Sequence, residues 1–282
     1  MLDELKRRQT LASFDHQWGE FYEGDAMLSD AWFRENVEHV ITDELLCVDR
    51  SWFAGKTVLD AGCGMGRWTL GFLRLGCRVL SVDASERALV TLNAAMRDLA
   101  PDAVADGRLE TMRVDLLDLP EELRQRRFDL VYSFGVLHHT GDTKGALTGL
   151  APLVEPDGLL FLYLYGSRSV DLTKRIALAT LRWGLAPLPF RWKERALKVL
   201  RRGRDPHQSF DTFSPLINDT YEHETVEGWL RDLGFPDVTR TIDYTELYLR
   251  ARRTGGHPLR PLPRRPYWFE RYRRRPLPPP AG

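Results

Sequence analysis

The chain has 282 residues, 43% of them hydrophobic, and its 40 lysines and arginines equal its 40 aspartates and glutamates in number. That length and apolar share predict a globular protein, one large domain with elaborations or two small ones, and the balanced total removes any argument from net charge for nucleic acid or a membrane. Three cysteines, Cys47, Cys63 and Cys77, have no paired spacing, which excludes a disulfide framework and a structural zinc site.

The opening "MLDELKRRQT" has no apolar leader region, and no segment reaches the roughly 18 uninterrupted apolar residues of a membrane span, so a soluble cytoplasmic protein is expected. From about residue 56, short apolar runs alternate with amphipathic ones, as in βα units around a parallel sheet. "KTVLDAG" reads as a buried strand, "RWTLGFLRLG" as a helix closed by Gly76, "RVLSVDAS" as a second strand, and "SERALVTLNAAMRDLA" as a helix capped by Ser85. "LETMRVDLLD", "FDLVYSFG" and "GLLFLYLYG" add three strands, and between the last two a helix in "TKGALTGLAPLVEPDG" ends in a turn at Gly158. The alternation then stops for nearly 60 residues and resumes at the helix "TVEGWLRDLGF". "DVTRTIDY" and "ELYLRARR" follow with too short a link for a crossover helix, so they pair antiparallel at the sheet edge.

Charge is banded in the second half. Residues 168–204 hold 11 basic against 2 acidic residues, 205–249 hold 2 against 10, and 250–282 hold 10 against 1. The first band predicts a basic helical lid over the sheet's C-terminal edge, its cations paired with the acidic band, with a membrane surface, a phosphorylated acceptor or RNA as alternatives. From Gly255 on, Pro and Arg dominate, which predicts an extended, solubilising or packing tail without regular structure.

"VLDAGCGMGRW" ends a strand, opens a helix and places Gly62, Gly64 and Gly66 at alternate positions, where a ligand must approach the backbone. The dinucleotide spacing G-x-G-x-x-G is not met, since the third glycine would fall at Arg67 or Thr69, which disfavours an NAD-dependent oxidoreductase. Asp60 beside the loop would also repel a pyrophosphate, whereas it suits a ligand carrying an ammonium group. Asp83, ending the second strand, can accept both hydroxyls of a ribose, and Asp115 after the third can accept from the amino group of adenine, with Asp118 as its alternative. An adenosine with an amino-acid tail satisfies all three acids.

With Asp60-Ala61-Gly62-Cys63-Gly64-Met65-Gly66, Asp83, Asp115-Leu116, "FDLVYSFGVLHH" and "VEPDGLLFL", the sequence resembles the class I S-adenosylmethionine-dependent methyltransferases over residues 55–165, and more loosely over 225–250. The resemblance implies a Rossmann-like α/β fold with a seven-stranded, mostly parallel sheet and an antiparallel edge hairpin. It divides the chain into an N-terminal helical cover (1–54), a cofactor-binding core (55–167), a helical lid insertion (168–224), the end of the core (225–252) and a basic Pro-rich tail (253–282). It implies S-adenosylmethionine as cofactor, held by Asp60, Gly62, Cys63, Gly64 and Gly66, by Asp83, Ala84, Asp115 and Leu116, and by Ser133 and Trp18.

His138 and His139 end the fourth strand, and no nearby Cys or His completes a metal set. Transfer of methyl from a sulfonium requires alignment of the acceptor and, for a hydroxyl, removal of its proton, which suits imidazole; the competing reading is packing beside the cofactor or helix capping. The stripe Phe14, Trp18, Phe21 and Tyr22 reads as core packing, His16 and Tyr22 are secondary candidates for cofactor or acceptor contact, and His223 is a helix-entry residue. The expected activity is methylation of a small-molecule oxygen, on a secondary metabolite or sugar, with nitrogen or carbon as the alternative atoms and with no metal and no nucleic-acid partner. The rivals are an RNA or lipid acceptor, an oxidoreductase, and a non-catalytic module that keeps the cofactor fold.

Overall fold

The computed structural model describes residues 2–20, 26–167, 172–200 and 206–262. Ahead of the sheet, α1 (Leu2–Glu20), α2 (Ala26–Ser29) and α3 (Ala31–His39) lead into a turn of π-helix at Val40–Leu45. There follow β1 (Thr57–Ala61), α4 (Arg67–Arg74), β2 (Arg78–Asp83), α5 (Glu86–Leu99), α6 (Pro101–Ala105) and β3 (Leu109–Arg113). Next come α7 (Glu121–Arg124), β4 (Phe128–Phe134), α8 (Thr143–Leu150) and β5 (Val154–Leu164). After β5 stand three helices, α9 (Leu172–Leu185), α10 (Phe190–Leu200) and α11 (Pro206–Phe213). The chain then returns to the sheet through α12 (His223–Asp232), β6 (Asp237–Asp243) and β7 (Leu247–Arg252).

The seven strands lie in the order β3-β2-β1-β4-β5-β7-β6. β1 to β5 are parallel and β7 is antiparallel to both β5 and β6, as the short link between the last two strands requires. Strand order therefore reverses between β1 and β4, and the crevice at their C-terminal ends is where open α/β sheets receive ligands. Side chains alternate between two cores. Val58, Leu130, Tyr132 and Phe161 face α3, α4 and α5, while Leu59, Val82, Val131 and Leu160 face α8 and α12.

Local signals act as expected at several ends. The Ser85 hydroxyl accepts from the Ala88 amide at 3.2 Å, and Gly76, at φ +86°, follows α4 in the left-handed region. The turn expected at Gly158 is absent: β5 begins at Val154 and Gly158 lies inside it. The β4–β5 register shifts between Phe128 and Leu130, and a Cβ on Gly158 would stand 2.9 Å from the Asp129 carbonyl oxygen, so glycine there permits close strand approach. The tail is also less irregular at its start than expected. Leu259 bridges Val48, and the amides of Asp49 and Arg260 donate to the carbonyls of Pro258 and Cys47 at 2.8 Å each. Residues 263–282, like Phe21 and Tyr22, lie outside the described residues.

Behind β5, the Gly166 backbone meets the β6–β7 turn so closely that a Cβ would lie 1.7 Å from the Thr245 carbonyl oxygen. Replacing Gly166 with Ala must push two backbones apart. It is expected to destabilise the fold by about 3 kcal/mol, read from the urea midpoint, and an unchanged midpoint would refute the close approach.

Candidate active site

Three backbone features build the glycine loop. The amides of Gly62 and Cys63 both donate to the Val82 carbonyl, at 2.8 and 3.0 Å, and the Gly66 amide donates to the Cys63 carbonyl at 3.0 Å. Gly62, Gly64 and Gly66 all have positive φ (+83°, +53°, +91°), which other L-residues adopt only with strain. A Cβ on Gly62 would overlap Val136 at 2.3 Å, and one on Gly64 would lie 3.6 Å from the Trp18 ring. Trp18 of α1 thus covers the loop. Cys63 is buried and its thiol is pushed well up by burial, so it lines the loop as a neutral group.

The acids around this loop are already engaged by the chain. Asp60 is buried, and its carboxylate accepts from the Thr69 hydroxyl at 2.7 Å, which in turn lies 2.9 Å from the Ser81 hydroxyl. Asp83 accepts from the Gly64 amide at 3.0 Å and from the Ser85 amide at 2.9 Å, one bond per oxygen. Its carboxyl too is raised by burial. Asp115 accepts from the Leu117 amide at 3.0 Å and pairs with Arg7 of α1, while Asp118 pairs at 3.9 Å with Arg124, so it is Asp115 that α1 engages. Leu116 is buried beside it. The Ala84 carbonyl accepts from Arg113 at 3.1 Å, and the Ser133 hydroxyl donates to the Ala61 carbonyl at 3.0 Å, tying β4 to the end of β1.

His138 and His139 form a one-turn 3-10 helix after β4, both buried. The Nδ1 of His139 lies 2.8 Å from the Ile217 carbonyl, a pure acceptor, so Nδ1 carries the proton and Nε2 presents its lone pair without a partner. Both ring nitrogens of His138 are buried without a partner. Its ring lies 4.0 Å from that of Tyr165 and 4.2 Å from that of His139. Burial holds His138 well below the ordinary imidazole range and lowers His139 less, because Asp211 and the Ile217 carbonyl favour its charged form.

Sequence reasoning missed several residues of this arrangement. Phe14 meets His139 edge-on at 4.9 Å, so this member of the aromatic stripe contacts the site. Tyr165 donates to Asp211 at 3.2 Å, and the Arg182 Nε donates to the Thr212 carbonyl at 2.8 Å, bringing the inserted helices to the histidines. Asp15 accepts from the Ser85 hydroxyl at 2.8 Å. Only the position of Tyr165 at a strand end offered a signal; the others depend on contacts distant in sequence. His16 stacks on Phe190 at 5.3 Å and lies 3.5 Å from Glu194, facing the inserted helices, and His223 opens α12 with Glu227 at 3.5 Å. Tyr22 lies outside the described residues. Among the described residues, no group of three or more His, Cys, Asp or Glu is arranged to hold a metal ion, and no helix is long and apolar enough to cross a membrane.

The left-handed glycine loop and the acids at the ends of β1 and β2 fit an adenosine bearing a positively charged tail. Asp60 is the electrostatic key. Burial, with a smaller contribution from Asp83, raises its carboxyl to about 7 against the Thr69 hydrogen bond. A carboxyl that keeps its proton to higher pH in the folded chain than in the unfolded one weakens folding as pH rises from about 4 to about 7. Asp60→Asn keeps an acceptor for Thr69 and removes that dependence. Its stability relative to the parent should improve by about 1–3 kcal/mol between pH 4 and pH 8, measured by urea unfolding. Parallel curves for the two proteins across that range would show that Asp60 carries no such charge penalty.

A family model described as a methyltransferase domain matches residues 59–160. The ubiquinone biosynthesis O-methyltransferase of Schizosaccharomyces pombe, a mitochondrial protein by its name, is 36% identical over 116 residues, covering 40% of this chain and 39% of that protein. The protein of the same function from Caulobacter vibrioides is 31% identical over 147 residues, 51% of this chain and 55% of its own length. The chain thus spans about half or less of these curated relatives. An O-methyltransferase family protein from Burkholderia thailandensis superposes with a TM-score of 0.51 at 19% identity, over 81% of this chain and 59% of that one. The magnesium protoporphyrin IX methyltransferase of Synechocystis PCC 6803 with bound SAH does so at 0.50 and 17%, over 90% and 98%. Both share the fold.

Proposed function

We propose that the chain, whose residues 59–160 match a methyltransferase domain, is a class I S-adenosylmethionine-dependent methyltransferase that methylates a hydroxyl of a small-molecule acceptor at the edge of β4. Bound at the glycine loop, S-adenosylmethionine supplies a methyl group on a sulfonium, which needs little activation. The chain's task is to bind, to align and to take a proton. The loop glycines and Asp83 suit the adenosine, Asp60 suits the ammonium of its tail, and Trp18 excludes water above the loop. Asp115 would reach adenine only by sharing its carboxylate with Arg7.

One observation carries the choice of an oxygen acceptor: the unpartnered Nε2 of His139. The Ile217 carbonyl fixes the Nδ1–H tautomer, so the second nitrogen is a base in a dry site, able to take the hydroxyl proton as the methyl arrives. His138, with two unpartnered nitrogens, orients the acceptor beside it. The rings of Phe14, Tyr165 and the two histidines favour a flat acceptor over a sugar. The curated relatives, named for O-methylation in ubiquinone biosynthesis, support an oxygen on such a molecule and give no support to the sugar or secondary metabolite expected from the sequence.

His139→Gln keeps a polar side chain and removes the base. The methyl-transfer rate from labelled S-adenosylmethionine to hydroxylated aromatic acceptors should fall by about 10²–10⁴-fold with S-adenosylhomocysteine affinity unchanged. An unchanged rate would end the base assignment. The base works only when neutral and its pKa is lowered by burial, so kcat/KM should be level through neutral pH and decline only on the acid side of about 6.5. A limb above pH 7 would assign the proton transfer to another group.

A further inference from the structure

We propose that the outward face of α9 and α10 is a docking surface for an anionic phospholipid membrane. Both helices are amphipathic with an inward and an outward apolar side. Inward, Leu178 and Leu185 of α9 and Phe190 and Leu197 of α10 join Phe210 and Phe213 of α11 in a small core of their own. Outward, apolar side chains remain in solvent: Ile176 is 59% exposed and Trp183 45% on α9, Leu188 40% in the connecting turn, and Trp192 60% and Val199 76% on α10. Ile176, Thr180 and Trp183 recur at helical spacing on a stripe of α9 opposite Leu178, Arg182 and Leu185, and Trp192, Arg195 and Val199 do the same on α10. With Leu181 at 39%, six large apolar side chains are exposed within 24 residues, a denser group than the three of α1, Leu2, Leu5 and Leu11.

Charge selects the occupant. Residues 172–200 carry seven basic residues and one acid, Glu194, and that acid faces inward, 3.5 Å from His16. Arg191 and Arg195 are exposed on the same side as Trp192, with the Arg195 guanidinium over the Trp192 ring at 5.5 Å. Tryptophan and arginine side by side suit the headgroup boundary, with indole and aliphatic groups entering the acyl region and guanidinium groups meeting lipid phosphates. A second copy would bring the exposed Arg191 and Arg195 against their own counterparts, and the chain's own tail, with 10 basic against 1 acidic residue in 250–282, would be repelled likewise. Trp183 and Trp192 can stack on nucleic-acid bases, but Ile176, Leu181, Leu188 and Val199 make up most of the exposed apolar set and offer a base nothing. A membrane satisfies both the apolar stripe and its cationic border. Because α9 brings Arg182 to the histidines, and α11, packed on α9 and α10, brings Asp211, a docked insertion would hold the acceptor site against the bilayer.

The test uses the full chain without cofactor or acceptor, so its outcome is separate from that of methyl transfer. Co-sedimentation with vesicles of phosphatidylcholine containing one quarter phosphatidylglycerol should show binding that weakens with salt and is about tenfold stronger than to phosphatidylcholine alone. Ile176→Ser/Trp183→Ser/Trp192→Ser/Val199→Ser, which keeps every charge, should lose that binding by about tenfold or more. Arg191→Gln/Arg195→Gln should lose part of it while S-adenosylhomocysteine affinity and the circular dichroism spectrum stay those of the parent. Three results would overturn the proposal: no binding to anionic vesicles, equal binding to both vesicle types, or binding that survives the four serine substitutions. The last would assign attraction to the basic tail. A dimer that shields Trp183 and Trp192 from an aqueous quencher would overturn it also.

Discussion

The backbone of a single residue, Ile217, holds the candidate site together. Its amide donates to the Thr10 hydroxyl of α1 at 3.0 Å, and its carbonyl accepts from His139 at 2.8 Å. Beside it, Gln9 bonds the Leu216 amide and the Ser214 carbonyl at 2.9 Å each, and Ser13 meets Ser214 at 2.7 Å. The same helix reaches Asp115 through Arg7, Ser85 through Asp15, the glycine loop through Trp18 and His139 through Phe14. One rigid element therefore spans both halves of the crevice. A shift of α1 would disturb its contacts at Asp115, Ser85 and the glycine loop together with those at His139 and Ile217, so the two halves of the crevice are mechanically coupled.

The charges in the crevice are arranged for a guest. Asp60 is buried and Asp83 partly so, with hydroxyl and amide donors but no cation in hydrogen-bond contact, an arrangement that raises both carboxyls. A ligand bearing an ammonium group replaces that penalty with attraction. The histidines show the opposite arrangement. Their burial favours the neutral ring, which is the form that can accept a proton. The carboxyls and the imidazoles are thus shifted by the same low-dielectric setting in opposite directions, each toward its neutral form.

The sheet was legible in the sequence because its signals are local. Period-two and buried apolar runs, Gly76, Ser85 and the glycine triplet act within a few residues of where they stand. Gly158 misled because glycine after a helix reads as a turn, whereas here it serves a bulge whose other strand lies some 30 residues earlier in the chain. The glycine loop and strand-end acids were readable by position. What they touch was not, since Arg7 and Asp115 are 108 residues apart and His139 and Ile217 are 78. Nothing in the sequence near residues 9 to 13 points to a partner near 214.

The guanidinium of Arg250 is buried under β7 and donates to the carbonyls of Leu46 and Cys47 at 2.6 and 3.1 Å. These carbonyls follow the π-turn, and Cys47 sits there at φ +52°, a conformation it would not hold unaided. During synthesis the segment that precedes the sheet is made first, yet its anchor arrives with the final strand, some two hundred residues later. The cover over the crevice is thus pinned only once the last strand of the sheet has been made.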